Sequence, residues 1–535
     1  MLRRLTAILL CALCAAALCS CAPAQEPETQ PAQLKKYENQ NETPTDGGTL
    51  KLCLFETDTL NPLITQNAEN IKTLSLIYDS LFTVHQDFSY TPNLCESYSV
   101  SEDGLVYRFT IRSGILFHDG KRLTASDVDF SFRLLTEAES PYLAKLSDIK
   151  SHSARSSEWV VELRRPVANF PALLDFPVLS ERTASSAKQA IQTKTEYTPN
   201  GTGLYKVQSY QKNKLLFLTK NEMHHSGTSP HIGNIMVYLV NDRSTAIAML
   251  ENLQVDLLSS GVINPQEYTP KRNVASVDYT TNRFTFLAFQ NQNSALSSSA
   301  TRRAISAAID REALCRNLLS DRAVSCDIPV NPASWLYAQE QAAAPYDPEQ
   351  ARQMLAADGW ADTDGDGIPE RASAEGTDKL EFTLLVNQDN SQRTKLAAQI
   401  KQALENVGVR ISLLSLPFAE YMRRLNSGQF ELAVCEVDIS DNCDLKFLLE
   451  TGYNFCGIAN EELDNLMKTA DKSTDFALIK DCYAQMCSLL RENMPVAGLY
   501  FSNASVIFDE SLRGNIAPSE SNIFSNISEW FLRMQ

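Results

Sequence analysis

Between Glu96 and Val128 the chain reads ESYSVSEDGLVYRFTIRSGILFHDGKRLTASDV, and this stretch limits the fold more than any other. Residues 106–112 alternate, with Tyr107, Phe109 and Ile111 on one side and Arg108, Thr110 and Arg112 on the other. Period two in aromatic and β-branched residues predicts a strand buried on one face. Turns at Glu102-Asp103-Gly104, Ser113-Gly114 and Asp119-Gly120 bound the extended segments. Thr124 stands three residues before Asp127, the spacing of a capped helix start, and Val128, Phe130, Phe132 and Leu135 follow. All of this is scaffold and holds no reactive set of groups.

A chain of 535 residues is too long for one core and predicts two or three domains. Lys+Arg 48 against Asp+Glu 65 gives a net charge of −17 spread without a long acidic run. Nucleic acid is excluded as a partner, because phosphate contacts need clustered Lys and Arg. At the start, Arg3 and Arg4 precede an apolar run over 5–18, too short for a permanent span and suited to a signal peptide. It ends Leu18-Cys19-Ser20-Cys21, which looks like a lipobox with Cys21 as the lipidated residue. Nine cysteines follow that segment without a Cys-x-x-Cys, so they read as small buried residues with at least one free thiol.

Residues 22–48 are polar and Pro-rich and predict a flexible tether. In Asn200-Gly201-Thr202-Gly203 the glycines predict a tight turn before a strand rather than a nucleotide loop. His224 and His225, taken as neighbours on a strand, would face opposite sides and share no metal. A strand is expected over 285–289 and a helix over 302–311. Asp362-Thr363-Asp364-Gly365-Asp366-Gly367 starts like a calcium loop, but Ser373 stands at the twelfth position where a bidentate carboxylate is needed. Strand 380–386, helix 394–407 and strand 409–414 form a unit whose length implies parallel pairing and an α/β domain.

Catalytic templates fail. No G-x-S-x-G or H-E-x-x-H occurs. Ser185-Ser186-Ala187-Lys188 and Ser440-Asp441-Asn442 spell two of three motifs of an acyl-serine site, and the third, K-T-G, is missing.

The 96–128 stretch resembles the signature of the peptide-type (family 5) extracytoplasmic solute-binding proteins of ABC importers, through Glu96, Ser97, Tyr98, Val100, Ser101, Asp103 and Gly104 and again through Phe117 to Gly120 and Leu123 to Val128. The resemblance continues in TLSLIYDSLF, in Gly201-Thr202-Gly203 and in the run from Arg302 to Asp310-Arg311, and it covers 49–535. It implies an α/β, periplasmic-binding-protein-like (type II, cluster C) two-lobe fold with an extra subdomain and a hinge-bound cleft. Lobe I would comprise 49–88, 196–285 and 497–535, its extra subdomain 89–195, and lobe II 286–496. It also implies a non-enzymatic, monomeric lipoprotein that carries no cofactor. Such a protein captures a solute, most simply a peptide, and hands it to a membrane permease on the outer face of the cytoplasmic membrane or in a periplasm. A nickel chelate, haem or oligosaccharide as solute, or a receptor role without transport, are the alternatives. By the same resemblance Asp438 falls on the family's amine-binding aspartate, with Cys435 where relatives carry Trp. Tyr142, Phe418 and Tyr500 fall on cleft positions, and Gln66 and Ala68 on the first cleft loop. No residue is assigned to a metal.

Overall fold

The computed structural model describes residues 33–533 apart from 56, 184–186, 193–196, 266, 339–344 and 375. Its largest element is an eight-stranded mixed sheet. Along the main path lie Leu257–Ser259, Val496–Asp509, Val274–Phe289, Leu432–Asp438, Glu381–Asn387 and Arg410–Leu416. Two of these, Val274–Phe289 and Val496–Asp509, are long antiparallel strands, and at about 3.3 Å per residue they reach through both halves of the molecule. Residues 274–280 pair with 503–509, and 284–288 with 496–501. Between these two ladders Thr281, Asn282 and Arg283 fall out of register.

The two halves of the long strand lie in different cores. Phe284, Phe286 and Ala288 pack into one apolar cluster and Leu287 and Phe289 into another, on the opposite face. A strand covered on both faces reads as a continuous apolar run, which is why residues 285–289 are legible and 274–280 are not. Around this second half, Glu381–Asn387 runs parallel to both Arg410–Leu416 and Leu432–Asp438. The connecting helix Ser391–Glu405 buries Leu396, Ala397, Ile400 and Leu404 and is capped by the side chain of Asn390. Gly408, at φ 89°, ends that turn in a conformation that favours glycine.

The other half carries two four-stranded sheets. In one, Thr49–Phe55 runs parallel to Asn234–Val240, followed by Leu215–Lys220 and Tyr205–Gln211. The other is antiparallel, with Cys95–Val100, Val106–Ile111, Glu158–Leu163 and Ile149–Arg155 in that order. Tyr107, Phe109 and Ile111 are buried there as their alternation requires, and Phe109 lies against Trp159. Helix Ala125–Glu137 covers this sheet. Thr124 N and Oγ1 both donate to Asp127 Oδ2 at 2.8 Å, the capping box expected from the spacing. Asp127 is fully buried, and its second oxygen accepts from Glu181 N at 2.9 Å, so the cap also anchors the chain after residue 180.

The tether expectation needs correction over 33–48. Leu34–Lys36 forms a parallel ladder with Val274–Ser276. Tyr37 Oη donates to Gly514 O at 2.9 Å, Thr45 Oγ1 donates to Leu532 O at 2.7 Å, and Glu42 pairs with Arg513 and Arg533. A polar segment with few apolar residues is held because a strand edge supplies backbone partners and two arginines supply charge. Residues 22–32 and Cys21 lie outside the described residues. Among the described residues all nine cysteines are unpaired and eight are buried, and no helix is long and apolar enough to cross a membrane.

Candidate functional site

The break in the long ladder gathers charge. Arg283 stands opposite Asp438 in the ladder of Val274–Phe289 with Leu432–Asp438, and Thr285 stands opposite Glu436. Arg283 Nε lies 3.3 Å from Asp438 Oδ1 and 3.8 Å from Glu436 Oε1. Arg393 Nη2 reaches the same Glu436 oxygen at 2.7 Å. Asp438 is the last residue of its strand, and its side chain is 75% exposed, so its carboxylate faces open space with Arg283 beside it. Tyr500 lies opposite Thr285 on the next strand, so its side chain projects to the same face as Glu436, where it is buried.

Alternation along Leu432–Asp438 sends Glu436 and Asp438 to one face and Cys435 to the other. Cys435 is accordingly buried, with Tyr421 Oη 3.4 Å from its Sγ, and burial pushes its thiol up to about 12. It therefore lies on the face away from Asp438. Phe418 begins helix Phe418–Asn426 and is 53% exposed, with its N–H donating to Asp389 Oδ2. Gln66 and Ala68 are exposed on either side of Asn67, which caps helix Ala68–Leu74.

Tyr142 sits across the break, in the short 3₁₀ helix Pro141–Leu146. Lys145 of that helix places Nζ 2.5 Å from Asp175 and 3.4 Å from Asp441, and 5.3 Å from the Tyr142 ring centre. Asp441 in turn accepts from Asn282 Nδ2 at 3.1 Å, inside the ladder break. Burial pushes the Asp175 carboxyl up against the pull of Lys145. Tyr142 and Asp175 line a cavity of about 330 Å³ together with Lys72, Tyr78, Asp79 and Ser521. Glu520, beside that wall, is also raised by burial, and Lys72, Asp441, Arg283 and Asp438 all act on it. A continuous set of charges therefore joins the cavity to the Asp438–Arg283 pair. Arg283, Glu436, Lys145, Asp441 and Glu520 were not legible as site residues, because their meeting depends on the strand break.

The remaining sequence candidates resolve differently. Ser185 lies outside the described residues. Ser440 donates to Asn442, and Asn442 Nδ2 donates to Ala168 O at 2.9 Å while its own carbonyl accepts from Asn169 Nδ2 at 3.3 Å, a structural clasp between lobes. In the Asp362 loop Lys379 Nζ lies 2.7 Å from Asp366, 3.4 Å from Asp364 and 3.3 Å from Glu370, so an ammonium already balances the carboxylates. Gly201 and Gly203 do not adopt a left-handed turn. A Cβ at Gly201 would lie 2.0 Å from Ile77 O and one at Gly203 2.6 Å from Ile77 C, so both glycines are there for close backbone approach. His224 and His225 stand on a turn after Leu215–Lys220 rather than on the strand, and both rings face Asp79. The opposite-faces expectation is wrong for that reason.

The family described as bacterial extracellular solute-binding proteins, family 5 Middle, matches residues 89–451. The chain belongs to this family. Among the family 5 chain's relatives is the oligopeptide-binding protein AppA of Bacillus subtilis (strain 168), 24% identical over 507 residues, 91% of this chain and 92% of that one. Among solved structures, the periplasmic murein tripeptide binding protein MppA in an unliganded open form overlays with a TM-score of 0.76 at 17% identity, covering 92% of this chain and 99% of that one. NikZ from Campylobacter jejuni in complex with Ni(L-His) overlays with a TM-score of 0.59 at 21% identity, covering 90% and 99%. The two-lobe fold of the family 5 chain is thereby shown, with the long strands as the passage between lobes.

Proposed function

We propose that this family 5 protein captures a short peptide with a free α-amino group between its lobes and delivers it to a membrane permease. It acts by binding, without turnover, as a monomer outside the cytoplasm, held to the membrane by a lipid on Cys21. The observation that carries the reading is Asp438, a carboxylate exposed at a strand end beside the ladder break, with Arg283 at 3.3 Å. An exposed ion pair of this kind contributes about 0–1 kcal/mol, so a ligand ammonium displaces Arg283 from Asp438 at small cost. The freed guanidinium then suits a ligand carboxylate, as its planar donors match that shape. A cavity of about 330 Å³ on the lobe I side, at the small end of the usual range of about 300–1,000 Å³, has room for part of such a peptide.

Lobe closure turns on residues 281–283 and Ser502, where the ladder is broken and Thr281 Oγ1 donates to Ser502 O at 2.8 Å. A ligand held by Asp438 in one lobe and by the Gln66–Ala68 loop and Tyr142 in the other favours the closed arrangement, because only there does it touch both. Relatives named for oligopeptides support the solute class. Calorimetry with a tripeptide pool and its N-acetylated counterpart tests the reading. Acetylation is expected to weaken binding at least about 30-fold, the loss of one desolvated charge pair. Equal affinity for both pools overturns the amine site.

A further inference from the structure

We propose that Asp79, His224 and His225 bind one divalent transition-metal ion of the zinc type, in the lobe I wall of the cavity. The three side chains come from two places far apart in the chain: Asp79 from the segment after helix Ala68–Leu74, and both histidines from the turn after strand Leu215–Lys220. One donor atom from each lies within 4.8 Å of the others. His224 Nε2 is 3.4 Å and His225 Nε2 is 3.5 Å from the same oxygen, Asp79 Oδ2, and the two ring centres are 4.4 Å apart.

These distances suit a metal better than an ion pair. A hydrogen bond between an imidazolium and a carboxylate closes to about 2.7–2.9 Å, well inside what is observed. Zinc bonds of about 2.0–2.2 Å in a tetrahedron place neighbouring donor atoms about 3.3–3.5 Å apart, the spacing observed from each histidine nitrogen to Asp79 Oδ2. Both Nε2 atoms are buried without a hydrogen-bond partner, and the His224 side chain is only 7% exposed. Buried polar atoms are normally satisfied, and one ion would satisfy both nitrogens together.

The surroundings hold the donors in place. Thr202 Oγ1 donates to Asp79 Oδ2 at 2.8 Å, and Thr202 is fixed there by the close approach of Gly201 and Gly203 to Ile77. His224 Nδ1 lies 2.7 Å from Ser226 Oγ. Ser226 N also donates to His224 Nδ1 at 3.3 Å, and an ion on Nε2 would turn the ring to its Nδ1–H form with the Ser226 hydroxyl as acceptor, the usual outer partner of a metal-bound histidine. Two imidazoles and one carboxylate suit zinc and its first-row neighbours rather than calcium or magnesium. The ion would clip Asp79 to the 221–225 turn, stiffening the cavity wall, and owes nothing to the Asp438 reading.

The test uses the whole protein, stripped with a chelator and titrated with ZnCl₂ and with CoCl₂. One equivalent of zinc is expected to bind and raise the Tm by a few degrees, through preferential binding to the folded state. Cobalt is expected to give the strong visible absorption of a four-coordinate site. His224→Gln and His225→Gln are expected to lower zinc affinity by roughly 100-fold or more, while Asp364→Asn in the Lys379 loop leaves it unchanged. Long-range ¹H–¹⁵N spectra of the unaltered protein read the tautomers whether or not the variants fold. Zinc is expected to convert both rings to the Nδ1–H form. No saturable zinc binding, binding that survives both histidine substitutions, or Nε2–H rings at saturating zinc would each overturn the site.

Discussion

His118 links burial to a pH effect that can be measured. Its Nε2–H donates to Gly203 O at 3.0 Å, and its Nδ1 is buried without a partner. Protonation would place an N–H there with nothing to accept it. Burial, with Lys206 and His224 adding to it and Asp79 opposing, lowers its pKa from 6.5 to about 4. A base lowered on folding binds fewer protons folded than unfolded. Its stabilising contribution is therefore present above about 6.5 and is lost as pH falls through about 4, up to about 3 kcal/mol in all. Denaturant melts of the chelator-treated protein at pH 7 and 4.5 are expected to show a steeper loss for the natural chain than for His118→Asn. A second residue carries strain. Leu253 follows helix Arg243–Glu251 at φ 59° and is 48% exposed, in a place where glycine is usual. Leu253→Gly is expected to raise stability by about 1 kcal/mol, read as a shift of the melting midpoint with an unchanged denaturant slope. His224 and His225 were misread because the end of a strand, set by Gly203 accepting from Asn221, is not local.

At the scale of elements, the run from Arg302 to Arg311 shows what a recognisable motif does physically. Helix Ser299–Ala307 presents Arg302 inward, where its guanidinium donates to the carbonyls of Leu296, Ser297, Asn493 and Met494. The last two close the C-terminal end of helix Phe476–Asn493, whose carbonyls otherwise lack partners. Arg311 does the same for Ser306 O and Gly498 O, and Asp310 caps helix Arg311–Leu319. Arg302→Met keeps the stem and removes the donors, and it is expected to cost about 3 kcal/mol, because several buried carbonyls lose their partner at once. Urea unfolding followed by circular dichroism measures it. One helix was expected over 302–311, whereas the chain forms two, Ser299–Ala307 and Arg311–Leu319, and the carbonyl clip was not legible, since Asn493 and Met494 lie almost two hundred positions away. The strand Val274–Phe289 divides in the same way. Its apolar second half is readable, and its first half, with Ser276, Asp278 and Thr280 interleaved, is not read as continuing it. That is how Arg283, at the join, escaped notice while Asp438, its partner, did not.

At the scale of the molecule, two long strands tie the lobes, and their ladder breaks twice, more widely at 281–283 and again after Thr285. Contacts away from 281–283 also join them: Asn442 with Ala168 and Asn169, Asp471 with Ala168 N, and Phe476 in tilted ring contact with Tyr90 and Trp335. These are small polar and aromatic contacts of the kind that allow two arrangements of similar free energy, and a ligand bridging the lobes can choose between them. The most direct test of the account is native mass spectrometry of the purified protein, natural and Asp438→Ala, with a mixed pool of short peptides. The natural protein is expected to retain peptide masses, and Asp438→Ala, though folded, to lose them at the same concentrations. A protein that retains no peptide, or that retains the same peptides without the Asp438 carboxylate, would contradict it.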